Sequence, residues 1–149
     1  MINKTSRALL NALLARSEEI RTPCGDGEMV WRVWGRDNSE RPPVVLLHGG
    51  FGAWNHWVRN IPIWEKDYRL VAADLPGCGD SASLPRPYDA EDLAKVVSAG
   101  IDVAVSAQQP FDLVTFSFGG VISGLIAHEQ AKRIRSLTMK GSPVLGLTG

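Results

Sequence analysis

The sequence predicts an α/β domain, a mostly parallel sheet with flanking helices. Three observations carry that expectation. Short apolar runs recur in "VVLLHGG" (44–50), "YRLVAADLPG" (68–77) and "FDLVTFS" (111–117), each stopped by glycine, proline or serine. A strand apolar on both faces belongs inside a covered sheet, usually a parallel one. Helical patterns separate these runs, and strands alternating with helices mean βαβ crossovers and a doubly wound sheet. The chain has 149 residues, 44% of them hydrophobic and 21% charged, which suits one globular domain with a real core.

Taken in order, "MINKTSRALLNALLARSEEI" places Leu9, Leu10, Leu13 and Leu14 on one helical face, which predicts an amphipathic helix over 1–20. Its apolar stretch is interrupted by Asn11, is too short to span a membrane and lacks a clear cleavage site, so a cytoplasmic protein is expected. "EMVWRVWG" (28–35) is β-branched and aromatic between turn signals and reads as a strand in a hairpin or meander. "RDNSERPP" is a polar turn, "VVLLHGG" the first buried strand, and "AWNHWVRNIPIW" a short helical pattern. After the second apolar strand, residues 89–107 set Leu93, Val96, Val97 and Ile101 at helical spacing behind Asp89 as N-cap. "FDLVTFS" is the third apolar strand, "FGGVISGLIAHEQAKR" a helix, and "IRSLTMKGSP" a fourth parallel strand. No linker or repeat divides residues 21–149, which read as part of a single domain.

Sixteen basic and sixteen acidic residues cancel, so no global field draws the chain to nucleic acid or an anionic membrane. The two cysteines, Cys24 and Cys78, stand in no metal-binding spacing; two free thiols and no metal site are expected.

In open α/β sheets, function gathers at the carboxyl ends of the strands. Here those ends carry "HGGFG", "DLPGCGDS" and "SFGG". A serine at a strand-to-helix corner holds its hydroxyl above the sheet, and Gly119 and Gly120 would let strand and helix approach. The Phe118 N–H at the helix start is then placed to donate to an oxyanion, with Gly50 or Phe51 supplying a second donor. Trp54 and Trp57 are candidates to line the substrate pocket. The other reading of Ser117 is a plain helix N-cap, a role serine often takes.

The order "VVLLHGGFGAW", "LVAADLPGCGDS", "LVTFSFGG" resembles the first half of an α/β-hydrolase-fold protein of the esterase, epoxide hydrolase and C–C hydrolase branch. The resemblance covers roughly residues 25–145. It implies Ser117 as nucleophile, Phe118 with Gly50 or Phe51 as oxyanion hole, and a small apolar or aromatic carbonyl substrate. It implies no cofactor, since a serine mechanism needs none. His48 and Gly49 would shape the first loop, and Asp74, Gly77 and Gly79 the second. One departure lies inside the G-x-S-x-G pattern, where Thr115 stands in place of the first glycine.

A serine nucleophile needs a base and an acid to orient it, in this fold in the chain order Ser, Asp or Glu, His. After Ser117 only His128 and Glu129 occur, in the reverse order. Eleven residues of helix put His128 roughly 16 Å along the axis, beyond hydrogen-bond reach. The acid and histidine are therefore expected outside this chain, leaving the isolated chain inactive. The alternatives are a non-catalytic small-ligand binder or an inactive truncated remnant on the same scaffold. A sheet ending at the fourth parallel strand would present an apolar edge open to self-association.

Overall fold

A computed structural model describes residues 4–141. A six-stranded sheet runs in the order β1-β2-β4-β3-β5-β6, comprising β1 (Glu18–Cys24), β2 (Gly27–Trp34), β3 (Val44–Leu47), β4 (Leu70–Ala73), β5 (Phe111–Phe116) and β6 (Ile134–Lys140). The pairs β3–β4, β3–β5 and β5–β6 are parallel, while β1–β2 and β2–β4 are antiparallel. The sheet is thus mostly parallel at its centre, with an antiparallel hairpin at one edge.

Alternation along the central strands sends side chains to two cores. Val45, Leu47, Val71 and Leu113 point to the face covered by α3 (Ala90–Ala104) and α4 (Phe118–Glu129), meeting Val97, Ile101, Ile122 and Ile126. Val44, Leu46 and Leu70 point to the other face, where Leu13 of α1 (Lys4–Ala15), a 3₁₀ turn at Trp54–Trp57 and the single turn α2 (Ile61–Trp64) close over them. Each aliphatic side chain buried completely in these layers contributes about 1.5–3 kcal/mol. Helix α3 begins at a capping box: the Asp89 carboxylate accepts the Asp92 N–H (2.9 Å), and the Asp92 carboxylate accepts the Asp89 N–H (3.0 Å).

The N-terminal helix is shorter than the 1–20 segment expected of it. It ends at Ala15, and Glu18–Ile20 already belong to β1, which pairs with β2 from Glu18↔Val33 to Cys24↔Gly27. Only Thr22 and Cys24 of β1 are buried, a two-residue alternation too short to compete with the leucine spacing upstream. Of the four leucines, Leu13 is buried and its carbonyl accepts the Trp34 indole N–H (2.9 Å), whereas Leu9 and Leu14 stay exposed. At the opposite edge, β6 is exposed from Arg135 to Lys140. Residues 142–149, where the sequence places the loop leaving this strand, lie outside the described residues. Among the described residues no helix is long and apolar enough to cross a membrane.

Candidate active site

Strands β3, β4 and β5 run parallel, so the three loops leaving them meet at one edge of the sheet. Ser117 ends β5 and stands at the N-cap position of α4, with φ +49° and ψ −114°. That backbone conformation is sparsely allowed for a residue with a Cβ and costs on the order of 1–3 kcal/mol. Its side chain makes no capping bond. The plain N-cap reading therefore fails: a capping serine sits in extended backbone with its oxygen on an N–H of the first turn. The main chain fixes the corner instead, the Ser117 N–H donating to the Lys140 carbonyl (3.0 Å) and the Gly120 N–H to the Ser117 carbonyl (2.9 Å).

The corner forms because α4 starts almost on top of β3. A Cβ at Gly119 would lie 2.7 Å from the Leu47 carbonyl oxygen and 2.8 Å from that of His48. Thr115, where the sequence departs from the glycine pattern, is fully buried, and among the described residues its hydroxyl has no hydrogen-bond partner. The added methyl and hydroxyl fit beneath the corner.

The Gly52 N–H donates to the Gly49 carbonyl (3.2 Å), closing a four-residue turn with Gly50 and Phe51 at its corner. Phe51 has φ +57° and an exposed ring. A turn with left-handed backbone at its third residue normally carries glycine or asparagine there, so Phe51 is strained as well. This turn flanks the start of α4: a Cβ on Gly50 would lie 3.7 Å from the Phe118 Cβ, and one on Gly49 would lie 3.2 Å from the Ser117 Cβ. Phe118 is the first residue of α4, so its N–H has no acceptor within the helix and faces outward with the positive end of the helix dipole.

Two histidines hold that turn. His48 is wholly buried; its Nε2 accepts the Leu75 N–H (2.9 Å) and its Nδ1 donates to the Gly49 carbonyl (2.6 Å). One accepting and one donating nitrogen define a neutral ring, and burial pushes its pKa below the ordinary value against the opposing pull of the Gly49 carbonyl and Asp74. The Nδ1 of His56 accepts the Gly49 N–H (3.1 Å), while its ring meets those of His48 and Phe116 edge-on. Neither ring is hydrogen-bonded to Ser117. The His56 contact was not legible in the sequence, because it depends on the path of the turn.

Asp74, 2% exposed, spends both carboxylate oxygens on peptide donors, Oδ1 on the Trp54 N–H (2.9 Å) and Oδ2 on the Asp80 N–H (3.0 Å). Gly77 (φ +80°) and Gly79 (φ +51°) let the loop fold back over it, and a Cβ at Gly79 would strike the carboxylate. Cys78 in that loop is half-buried; burial and the Asp74 charge push its thiol pKa up, away from thiolate chemistry.

The two tryptophans share one core layer. Trp54 is buried against Trp34, ring centroids 5.3 Å apart, in the core layer under the sheet. Trp57 belongs to the same layer and lines a cavity with His56, Trp64, Phe116 and Lys140. An aromatic residue just after a functional loop suits either a pocket or a core; here the 3₁₀ turn rotates both indoles toward the sheet. A second cleft, reaching Phe118 and the Gly50–Phe51 turn, is lined by Gly50, Phe51, Cys78, Arg86, Tyr88 and Phe118. His128 and Glu129 are exposed at the far end of α4. Among the described residues, then, a strained serine and a set of peptide N–H donors meet at one corner, with no base bonded to the serine.

Residues 42–148 match the family model described as the alpha/beta hydrolase fold. The chain is 36% identical over 104 residues to the dihydrolipoyllysine-residue acetyltransferase component of the acetoin cleaving system of Pseudomonas putida, covering 70% of this chain and 28% of that one. It is 34% identical over 100 residues to a pimeloyl-[acyl-carrier protein] methyl ester esterase of Neisseria meningitidis, covering 66% and 36%. The crystal structure of naproxen esterase from Bacillus subtilis superposes with a TM-score of 0.71 at 21% identity, covering 92% of this chain and 50% of the esterase. The chain thus spans half or less of the length of each of these three proteins.

Proposed function

We propose, for a chain that belongs to the alpha/beta hydrolase fold family, that Ser117 is the nucleophile of an ester-cleaving reaction. The observation that carries the proposal is the Ser117 corner: a hydroxyl held at φ +49° that caps nothing. Strain of that kind persists only where the surroundings impose it, and it gathers at sites that need a group presented to a ligand.

In this mechanism Ser117 Oγ attacks the ester carbonyl carbon while a general base takes its proton. The carbonyl π pair moves onto oxygen, and the N–H groups of Phe118 and of Gly50 or Phe51 stabilise the oxyanion. Collapse expels the alcohol, which receives the proton, and leaves an acyl-serine. Water then repeats the sequence, releasing the acid and restoring the hydroxyl. His48 and His56 are occupied with the loop, and Asp74 with two peptide N–H groups, so their part is to hold the donors in place. The base and its orienting acid come from outside the described residues. The likeness to the methyl ester esterase supports a small ester as the substrate class.

A second reading, a non-catalytic binding protein on this scaffold, is favoured by the lack of a base bonded to Ser117 among the described residues. Hydrolysis of p-nitrophenyl butyrate by the protein from its natural reading frame separates the two. The hydrolase reading predicts turnover that falls on the order of 10⁴-fold or more in Ser117→Ala. The binding reading predicts saturable uptake with no product, and the same background rate in both proteins.

A further inference from the structure

The cleft that opens at Phe118, the residue after Ser117, carries a charge that ester cleavage does not require. Resting on the proposed function, we propose that the site takes esters bearing a second, free carboxylate, and that Arg86 holds it. The cleft, about 600 Å³, runs from Gly50, Phe51 and Phe118 to Cys78, Arg86 and Tyr88. Arg86 is the one charged residue in its described lining. No acidic group pairs with it among the described residues, and four nearby carboxylates are committed elsewhere. Asp74 receives two peptide N–H groups, Asp80 pairs with Arg32 (3.2 Å), and Asp89 and Asp92 cap α3 between themselves.

The rest of the wall has the same polarity. It offers the N–H groups of the Gly50–Phe51 turn, the positive end of α4 at Phe118, and the hydroxyls of Ser83 and Tyr88. Donors and a cation without a carboxylate focus an attractive field on an anion. A guanidinium fork matches a carboxylate with two parallel hydrogen bonds, which a neutral ester cannot reproduce. Between the two ends lie Phe51 and Phe118, both with exposed rings, a surface suited to methylene groups. The chemistry therefore fits a short dicarboxylic acid monoester: scissile carbonyl at Ser117, methylenes across the phenylalanines, free carboxylate on Arg86.

Binding tests this independently of turnover. Monomethyl adipate and dimethyl adipate are titrated into the Ser117→Ala protein, and affinities are read from amide NMR shifts. The monoester is expected to bind about ten- to a hundred-fold tighter, as loss of a charge-assisted pair implies. In Ser117→Ala/Arg86→Gln the two esters are expected within about two-fold of each other, with Arg86→Lys intermediate. Equal binding of both esters, no binding of either in the millimolar range, or a monoester preference that survives Arg86→Gln overturns the assignment. Failure of Ser117 to react, with the monoester preference intact, would reject the nucleophile and leave the Arg86 site standing.

Discussion

Gly119→Ala tests whether the Ser117 corner depends on the close approach of α4 to β3. The new methyl would sit 2.7 Å from the Leu47 oxygen and 2.8 Å from the His48 oxygen, against 3.4 Å for ordinary contact. Both obstacles are main chain, so the start of α4 must withdraw by about 0.7 Å from one of them. Alanine gains roughly 1 kcal/mol of helix propensity over glycine, while overpacking costs about 1–3 kcal/mol. The net loss is then at most about 2 kcal/mol, a fall in Tm of up to roughly 8 °C for a chain of this size. Function suffers more than stability, because the displacement moves the Phe118 N–H away from the Gly50–Phe51 turn. A misplacement approaching 1 Å costs on the order of 10²-fold in rate. The assay pairs thermal unfolding by circular dichroism with the rate of p-nitrophenyl ester turnover. A variant with wild-type Tm and wild-type rate would refute the argument, since it would mean that the corner has slack the contacts do not show.

Two further outcomes follow from buried polar groups. Thr115→Val exchanges a buried hydroxyl, without a partner among the described residues, for a methyl of similar size, and is expected to raise stability by about 1–2 kcal/mol in urea unfolding; a destabilised variant would show that the hydroxyl is satisfied. His48 gives a pH dependence. Its folded-state pKa lies below its ordinary 6.5, so the unfolded chain binds the proton more readily. The contribution of His48 to stability is complete above that value and shrinks as pH falls below it, by up to about 1.4 kcal/mol per pH unit. Urea midpoints at pH 5 and pH 7 read this, and His48→Gln is expected to flatten the difference.

The parts of the fold that were legible in the sequence are those where burial is complete. Strands β3 and β4 show as continuous apolar runs because both their faces are covered, and β5 is buried over its first three residues. β1 did not show, since it buries only Thr22 and Cys24, and its pairing with β2 is a tertiary matter. The glycines around Ser117 marked a corner, but the sequence was silent on whether the hydroxyl caps the helix; that depends on φ and ψ. The packing of Trp54 and Trp57 against the sheet was not legible, because aromatic character does not say which way a short 3₁₀ turn faces. His56 and Arg86 carried no pattern of their own, and their relation to the site comes from loop paths alone.

The most direct test of the central claim is covalent. Treatment of the protein from its natural reading frame with a fluorophosphonate, followed by tryptic mass spectrometry, locates the reactive serine. The account predicts one adduct, on Ser117, lost in Ser117→Ala and slowed in Gly119→Ala. An adduct on another serine, or labelling unchanged in Ser117→Ala, would contradict it.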